Sequence, residues 1–471
     1  MNHFLLRQRK RKFMRTTRRQ QILVGALASL LTFSTSCSSS DPSDASAPGP
    51  DALDGRPVTI TFWHGLSGAS GTALRQAVGQ FNKTNPDHIT VKAVYQGTYE
   101  ETLAKYTTAV RKANTPDVLL AGDMSTGFLQ DSGQTVPAQD LADANPGDLY
   151  LNDIRDIALS YYSLDGKLRS VPFNTSLPML FVNDKILDQA GVDKSTLTTV
   201  GGLAAGARQV HSKLPDIYGF TNPQSGGWWF EQLTAAAGST YCGPGNGRTG
   251  QKVTTLTLSG SAQRAALEQV TSLYTDGVAF NPGTNADAAI SAFTSGKVAM
   301  MLSSSGAIGD IAAATKIKYT ALPLPLAARK GVGGPLIGGA SLWVSGPGHD
   351  AAHQLASWKL ISYLVSPETQ EQFSHASGFA PVNVDVDYSL SQEKYLTKNP
   401  DQAAVMDQFM KAPVNTATAG CLTGALPKIR EKVLSAMTEA FHGEISLDAA
   451  INRAEDESAG VIETYNSQAD R

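Results

Sequence analysis

The chain after residue 57 alternates between short β-rich runs and segments with helical spacing. Two β-rich runs flank a segment whose apolar residues Leu74, Val78 and Phe81 fall on one helical face. The predicted elements of this region are strands at 58–62, 89–94 and 117–121 and helices at 72–82 and 99–112. Because strand, helix and strand in this order form a parallel β-α-β unit, the pattern predicts an α/β lobe.

The rest of the chain continues the alternation and ends in helices. One of its apolar runs follows the turn Gly296-Lys297 and ends in Ser303-Ser304-Ser305-Gly306. Predicted strands lie at 168–173, 179–183 and 298–302, and predicted helices at 184–190, 229–237, 261–276, 286–295, 352–365, 367–374, 402–410 and 428–441. No internal repeat of fixed period is visible in the sequence.

The first 36 residues have the layout of an export signal. They contain eight basic and no acidic side chains, then an apolar run at 22–33 and the small residues Ser34-Thr35-Ser36. The run is shorter than a stable membrane span. The pair Arg18-Arg19 resembles a twin-arginine signal, and the general export route stays open as the alternative.

Cys37 follows the apolar run directly and precedes a tract rich in Ser, Asp, Ala and Pro. This arrangement is similar to a bacterial lipoprotein, in which a lipidated first Cys is followed by a flexible tether, here residues 37–57. The alternative is cleavage nearby, with Cys37 discarded or left free. We therefore expect an exported protein anchored to the outer face of the cytoplasmic membrane.

Length and charge narrow the class further. At 471 residues, with 41% hydrophobic and 17% charged residues, the chain is globular and long enough for two lobes. Without the eight basic residues of the leader it has 31 Lys and Arg (39 less 8) against 42 Asp and Glu, a net charge of −11. Such an acidic protein lacks the basic surface of nucleic-acid binders, so we expect no nucleic-acid partner.

Two cysteines remain after Cys37, at Cys242 and Cys421. Thiols tend to be oxidised outside the cytoplasm, so this pair is a candidate disulfide; two unpaired buried thiols are the alternative. Neither has the neighbouring His or Cys of a zinc site, and we expect no metal.

Recognisable catalytic motifs are missing from the sequence. It contains no phosphate-binding loop, His-Glu-x-x-His run or Gly-x-Ser-x-Gly elbow. Polar and aromatic residues instead follow predicted strands, where ligands of α/β sheets sit: Trp63, His64, Tyr95 and Asp123. Each has a structural alternative, partial burial for the aromatics and helix capping for Asp123. The Ser303–Gly306 run likewise either caps a helix or offers donors to an anion.

Motifs spread over residues 58–445 carry a resemblance to a known family. They are Phe62-Trp63-His64-Gly65, Phe81-Asn82-Lys83-Thr84-Asn85-Pro86, Tyr95-Gln96-Gly97-Thr98-Tyr99-Glu100, Pro172-Phe173-Asn174, Ser304-Ser305-Gly306, Ile337-Gly338-Gly339-Ala340-Ser341-Leu342-Trp343-Val344, Ser377-Gly378-Phe379-Ala380-Pro381-Val382 and Pro427-Lys428-Ile429-Arg430. In this order they resemble extracellular solute-binding proteins of ABC transporters, above all the glycerol-3-phosphate and glycerophosphodiester branch.

The resemblance implies a two-lobed periplasmic-binding-protein (Venus-flytrap) α/β fold with three interlobe crossovers. The implied lobes are 58–137 with 286–337 and 138–285 with 338–471. It also implies a monomer without cofactor or enzymatic activity, which closes on a small solute and delivers it to a membrane permease.

The resemblance further implies the binding residues. A glycerol end would be held by Tyr95, Asp123 and Trp228. A phosphate end would be held by Ser176, Ser304, Gly338 or Gly339, the residue at Phe379, and Arg430. Phe379 departs from the Tyr typical of the family, and the Gly226-Gly227-Trp228-Trp229 run aligns in more than one way. By helix pattern alone, Arg430 among Lys428, Glu431 and Lys432 would be a solvated residue.

Two alternatives to a glycerol phosphate remain. One is a neutral oligosaccharide bound by the same class of protein. The other is an extracytoplasmic carbohydrate-active enzyme, which needs a pair of carboxylates across the cleft. Asp123 and Glu231 are the cleft carboxylates that the sequence offers.

Overall fold

The computed structural model describes residues 47–164, 166–314, 317–327 and 332–469. The predicted export signal and Cys37 lie outside these residues. The strands are β1 Val58–His64, β2 Ile89–Tyr95, β3 Val118–Gly122, β4 Thr135–Val136, β5 Ser163–Leu164, β6 Lys167–Leu168, β7 Val171–Ser176, β8 Pro178–Asn183, β9 Tyr218–Thr221, β10 Cys242–Gly243, β11 Thr255–Leu256, β12 Ala279–Phe280, β13 Val298–Ser304, β14 Tyr319–Pro323 and β15 Gly338–Ser345.

The helices lie between and after these strands. They are α1 Gly68–Thr84, α2 Tyr99–Arg111, α3 Thr126–Asp131, α4 Ala138–Ala144, α5 Asp156–Tyr162, α6 Asp184–Ala190, α7 Val200–Lys213, α8 Trp228–Ala236, α9 Ser261–Thr275, α10 Ala286–Thr294, α11 Ile308–Ala314, α12 Ala351–Leu364, α13 Pro367–Ser377, α14 Leu390–Lys398, α15 Pro400–Lys411, α16 Leu426–Phe441 and α17 Leu447–Ala469. In the described part of the chain, no helix combines the length and apolarity needed to cross a membrane.

The first sheet has the order β2-β1-β3-β15-β4, and β7 pairs with the free stretch of β15. The β-α-β prediction is confirmed, since β1 is parallel to both β2 and β3. In contrast, β15 runs antiparallel to β3 and β7, pairing Ala340 with Gly122 and Gly338 with Ser176. The ends of β3 and β7 therefore meet the start of β15 at one edge of the sheet.

The second sheet has the order β12-β9-β13-β8-β14. Strands β12, β9 and β13 are parallel, and β8 runs antiparallel to β13 and β14. The pairing of Ser304 with Pro178 puts the end of β13 beside the start of β8. Since only Leu177 separates β7 from β8, these ends adjoin the edge of the first sheet described above.

By strand pairing the chain leaves the first sheet at Leu177 and enters it again between β14 and β15, and its last helices, α16 and α17, pack in the core of the second sheet. These are three passages within the described residues. Helix α12 packs against β1 and β15 of the first sheet, and α15 packs against β14 of the second. This is the crossover number that the resemblance implied.

Strand pairing corrects the predicted lobe boundaries. β13 and β14 lie in segment 286–337, assigned to the first lobe, but pair with β8 in the second sheet. β15 opens segment 338–471, assigned to the second lobe, but pairs with β3. α10 and α11 of segment 286–337 share a hydrophobic cluster with the first sheet, and Met301 of β13 and Ala321 of β14 belong to the same cluster. The spacing of hydrophobic residues can identify a strand, but it does not show which strands lie beside it. The sequence pattern therefore could not assign β13, β14 and β15 to their sheets.

Candidate ligand-binding site

A cavity of about 330 Å³ lies where the strand ends of the two sheets meet. This volume is at the small end of the range for small-molecule sites. The cavity is lined by all nine residues that the resemblance implied: Tyr95, Asp123, Ser176, Trp228, Ser304, Gly338, Gly339, Phe379 and Arg430. The fold therefore brings them together, and their roles as ligand contacts stay predictions.

Three larger cavities lie elsewhere in the described residues, two of about 430 Å³ and one of about 540 Å³. The first is lined by Arg248 and Tyr465, among others, the second by Trp63 beside α2, and the third by residues of α16 and α17. None of them collects strand ends from both sheets. Trp63 therefore follows its structural alternative and packs near Leu119, and the neighbouring His64 is buried outside the site.

Neutral donors occupy the part of the cavity nearest to the chain crossover. Ser176 ends β7 opposite Gly338, and Ser304 ends β13. The Ser304 hydroxyl accepts a 3.2 Å hydrogen bond from the amide of Gly306, so it caps the short helix that follows and also lines the cavity. A hydroxyl that accepts one hydrogen bond keeps a proton to donate to a ligand. The structure thus shows the capping role of Ser304, and its role as a donor to an anion stays a prediction.

Arg430 forms the charged floor of the cavity. It lies on α16 and is only 3% exposed, which corrects the solvated position that helix pattern alone predicted. Its Nη2 donates to Asp123 Oδ2 at 2.7 Å and to Glu231 Oε2 at 2.6 Å, and its Nε donates to the same Glu231 oxygen at 3.1 Å. Burial would lower the pKa of Arg430, but the charges of Asp123 and Glu231 raise it well above its usual value.

These contacts change the chemistry expected of Arg430. The resemblance implied that Arg430 holds the phosphate, and a free guanidinium can do so through two parallel hydrogen bonds. Two of its three nitrogens are instead bonded to carboxylates, and only Nη1 has no acceptor among the described residues. Asp123 is not a helix cap, since its carboxylate bonds to Arg430.

Aromatic rings form the walls. Trp228 lies against the glycine at the start of β15, where a Cβ on Gly338 would be 2.8 Å from Trp228 Cζ2. Its Nε1 is buried without a hydrogen-bond acceptor in the described ranges. Trp229 is 3% exposed and packs in the core of the second sheet. Of the two adjacent tryptophans, Trp228 is therefore the one that faces the cavity. Tyr95 stands at the rim and is 54% exposed.

Tyr99 and Glu100 also line the cavity but were not predicted. They open α2 behind a capping box, in which Thr98 and Glu101 bond reciprocally. The Tyr99 hydroxyl accepts a 2.8 Å hydrogen bond from Asn174. Burial, with the nearby charges of Asp123 and Glu100, raises the pKa of Tyr99 even though the Asn174 bond opposes the shift. The capping box could have predicted these two cavity residues from the sequence. It fixes the start of α2 at the edge of the sheet, and Tyr99 and Glu100 are the first two residues of that helix.

Glu231 lies behind Arg430 rather than in the cavity wall. It is 1% exposed on α8, and its Oε1 accepts a 2.7 Å hydrogen bond from the amide of Cys421. The structure confirms the disulfide between Cys421 and Cys242. No group of His, Cys, Asp or Glu in the described residues is arranged to hold a metal ion.

Comparison with protein families identifies the class. Residues 76–404 match the model of the bacterial extracellular solute-binding proteins. The chain belongs to this family, the solute-capturing components of ABC transporters, and the two-lobed α/β fold is the one that the resemblance implied.

Individual relatives point to glycerol phosphates and to sugars. The sn-glycerol-3-phosphate-binding periplasmic protein UgpB of Pectobacterium atrosepticum is 27% identical over 408 residues, which is 84% of this chain and 90% of the relative. The structure of UgpB from Mycobacterium tuberculosis with glycerophosphocholine has a TM-score of 0.75 at 21% identity, covering 86% of this chain and 98% of that one. The cyclic α-maltosyl-1,6-maltose binding protein of Arthrobacter globiformis has a TM-score of 0.69 at 20% identity, covering 87% and 100%.

Proposed function

We propose that this chain captures a glycerol phosphate, as the monoester or as a glycerophosphodiester, and delivers it to a membrane permease. The observation that carries the proposal is the Nη1 of Arg430, a cationic donor without a protein acceptor in the described residues, in a cavity that also contains the hydroxyls of Ser176 and Ser304. A buried cation beside neutral donors suits a phosphate oxygen. The glycerol-3-phosphate relatives support the same ligand class.

The opposite wall suits the glycerol part of the ligand. Asp123 has a second carboxylate oxygen beyond the one bonded to Arg430, and a carboxylate accepts hydrogen bonds from hydroxyls. Trp228 and Tyr95 offer apolar faces for the carbon chain. We therefore assign the glycerol end to this side and the phosphate end to the side of Ser176 and Ser304.

A neutral oligosaccharide is the second candidate. The pairing of Arg430 with two carboxylates favours it, because the guanidinium charge is compensated before a ligand enters. Several structural neighbours are also sugar-binding proteins. The small volume of the cavity favours the more compact glycerol phosphate.

A carbohydrate-active enzyme is supported less well. Its two carboxylates must flank the bond that is cleaved. Asp123 and Glu231 instead bond to the same Arg430 nitrogen, and Glu231 does not line the cavity. The relatives that match most of the chain are named as binding proteins. We accordingly propose capture without turnover.

Calorimetric titration of the purified protein tests this proposal. The ligands are sn-glycerol-3-phosphate, glycerophosphocholine, maltose and trehalose, each recovered afterwards and checked for chemical change. We expect saturable binding of at least one phosphate ligand, with no turnover. Binding of maltose or trehalose alone would favour the oligosaccharide candidate, and recovery of cleaved ligand would favour an enzyme.

Lipid anchoring is a separate part of the proposal. Cys37 lies outside the described residues, and its lipidation is proposed from the apolar run before it and the polar tract after it. Fractionation of cells producing the Cys37→Ser protein tests it: we expect release from the membrane fraction, and unchanged retention would contradict the anchor. We also propose that the protein acts as a monomer.

A further inference from the structure

The charge of Arg430 is compensated on the side away from the cavity. Glu231 accepts two hydrogen bonds through one oxygen, from Nε and Nη2 of Arg430, and Asp123 accepts one from Nη2. Asp123 lines the cavity, whereas Glu231 is 1% exposed and lies behind the guanidinium. Glu231 therefore neutralises the arginine whether or not a ligand is present.

The fold holds Glu231 firmly in this place. Its second oxygen is bonded to the amide of Cys421, whose side chain is tied to Cys242 by the disulfide. The close contact between the Cys421 amide and Glu231 depends on the preceding residue, Gly420, which has φ +72°. A Cβ at this position would lie 2.9 Å from the ring of Tyr161 and 3.3 Å from Glu231 Oε1. Both oxygens of a buried carboxylate are thus committed, one to the disulfide loop and one to the guanidinium.

We propose that Glu231 is a positioning residue that determines the charge selectivity of the site: by orienting and neutralising Arg430, it favours phosphate ligands with one negative charge over those with two. The inference rests on the proposed function. A phosphodiester has one charge at any physiological pH, whereas a phosphomonoester gains its second charge with a pKa near 6. Each added charge is repelled by the fixed carboxylate behind the arginine.

Other charged and titratable groups face Glu231. They are Arg430, Asp123, Arg248, Tyr161 and Tyr241. Burial, together with the Glu231 charge, raises the pKa of both tyrosines above their usual range, so both stay neutral between pH 5 and 8. Arg248 hydrogen-bonds to the carbonyls of Gly420 and Tyr161 and opens into a different cavity. The ligand's own second ionisation is therefore expected to dominate the pH response.

The first measurement uses the unaltered protein. Affinities for sn-glycerol-3-phosphate and glycerophosphocholine are measured by calorimetry at about pH 5 and pH 8, on either side of the second phosphate ionisation. We expect the affinity for the monoester to fall by roughly tenfold as the pH rises, since its second charge meets the compensated site. The affinity for the diester should stay nearly constant. Equal pH responses of the two ligands would overturn the inference without any mutation.

The second measurement uses Glu231→Gln, which removes the charge and keeps the shape. We expect its affinity for the monoester at about pH 8 to rise by roughly tenfold relative to the diester, and the pH dependence to flatten. Glu439→Gln is the matched control, because Glu439 lies on the same helix as Arg430 and also accepts a hydrogen bond from an arginine, Arg453, but does not line the cavity. We expect it to change the ratio of affinities by less than about twofold.

The outcomes separate this inference from the proposed function. A protein that binds neither phosphate ligand at either pH contradicts the proposed function, and the inference falls with it. A protein that binds them, while Glu231→Gln weakens both by the same factor, leaves Glu231 with a structural role and overturns the inference alone. An equal shift of the ratio by Glu439→Gln also overturns it, because the selectivity would then come from the overall charge of the protein.

Discussion

The amide of Cys421 donates a 2.7 Å hydrogen bond to Glu231, the residue whose other oxygen holds Arg430. A covalent cross-link is therefore two contacts away from the charged floor of the ligand cavity. Because Cys421 lies in the chain passage before α16 and Glu231 lies on α8, the bond also fixes these two segments to each other.

The disulfide should contribute strongly to stability. It closes a loop of 179 residues, and the chain-entropy model gives about 5 kcal/mol for a loop of this length. We expect Cys242→Ala/Cys421→Ala to lower the free energy of unfolding by several kcal/mol in a urea titration. Reductant should destabilise the unaltered protein and leave the double variant unchanged. Equal stability of the oxidised protein and the double variant would contradict this prediction.

Arg430→Ala should damage both binding and stability. It leaves Asp123 and Glu231 buried without their cation, which typically costs 3 to 5 kcal/mol, roughly, in the free energy of unfolding. Phosphate affinity should fall by roughly 30-fold or more, since the cationic donor is lost. Arg430→Lys should restore part of the stability and little of the binding, because an ammonium cannot reproduce the planar arrangement of donors.

Arg264→Ala is a suitable control for that experiment. Arg264 forms ion pairs with Asp448 and Glu268 on the exposed surface, where such pairs contribute little to stability. We expect it to leave both ligand affinity and stability nearly unchanged. Comparable losses in the two variants would show that removal of any paired arginine, rather than the floor of the cavity, accounts for the effect.

Gly338→Ala should disturb the aromatic wall. A Cβ at this position would lie 2.8 Å from the ring of Trp228, so the ring must shift away from the start of β15. We expect a change in tryptophan fluorescence and a loss of affinity of roughly tenfold, about 1.4 kcal/mol. Gly201→Ala on α7 has open space around its Cβ and should change neither quantity. A Gly338→Ala protein with unaltered affinity would exclude Trp228 from ligand contact.

His64 should make stability depend on pH. Burial, helped by the charge of Arg75, lowers its pKa from 6.5 to about 4. The unfolded chain therefore binds a proton between these values while the folded protein does not, so stability falls as the pH decreases through this range. In urea titrations, His64→Gln should reduce the loss in the free energy of unfolding between pH 6.5 and pH 4 by roughly 2 kcal/mol. His88→Gln, at an exposed histidine, should leave the fall unchanged.

Local pattern predicted most elements near the cavity. The expected strand at 298–302 is β13, and the expected helix at 428–441 is most of α16. Several helices were missed, among them α7 with its adjacent Gly201-Gly202 and the long polar α17. Both have buried residues at helical spacing, but many of these are Gly, Ala or Ser, whose small side chains make the buried face less distinct in the sequence.

The environment of Arg430 could not come from pattern. Its neighbours on α16, Lys428 and Glu431, are exposed and charged, and nothing local distinguishes it from them. Its partners Asp123 and Glu231 are 307 and 199 residues away in sequence. The family resemblance placed Arg430 in the cavity, but it did not reveal that the guanidinium is already paired.

The single residue between β7 and β8 keeps the start of β8 close to the end of β7, where Ser176 lies. If the two sheets rotate relative to each other about Leu177, atoms near this pivot travel least and atoms at the rim travel furthest. Ser176 lies beside the pivot, so this side of the cavity stays assembled, whereas Tyr95 and Trp228 lie on opposite sheets' elements and separate. A ligand would thus bind first to the preformed polar end of the cavity. The aromatic walls would close on it afterwards and determine its rate of dissociation.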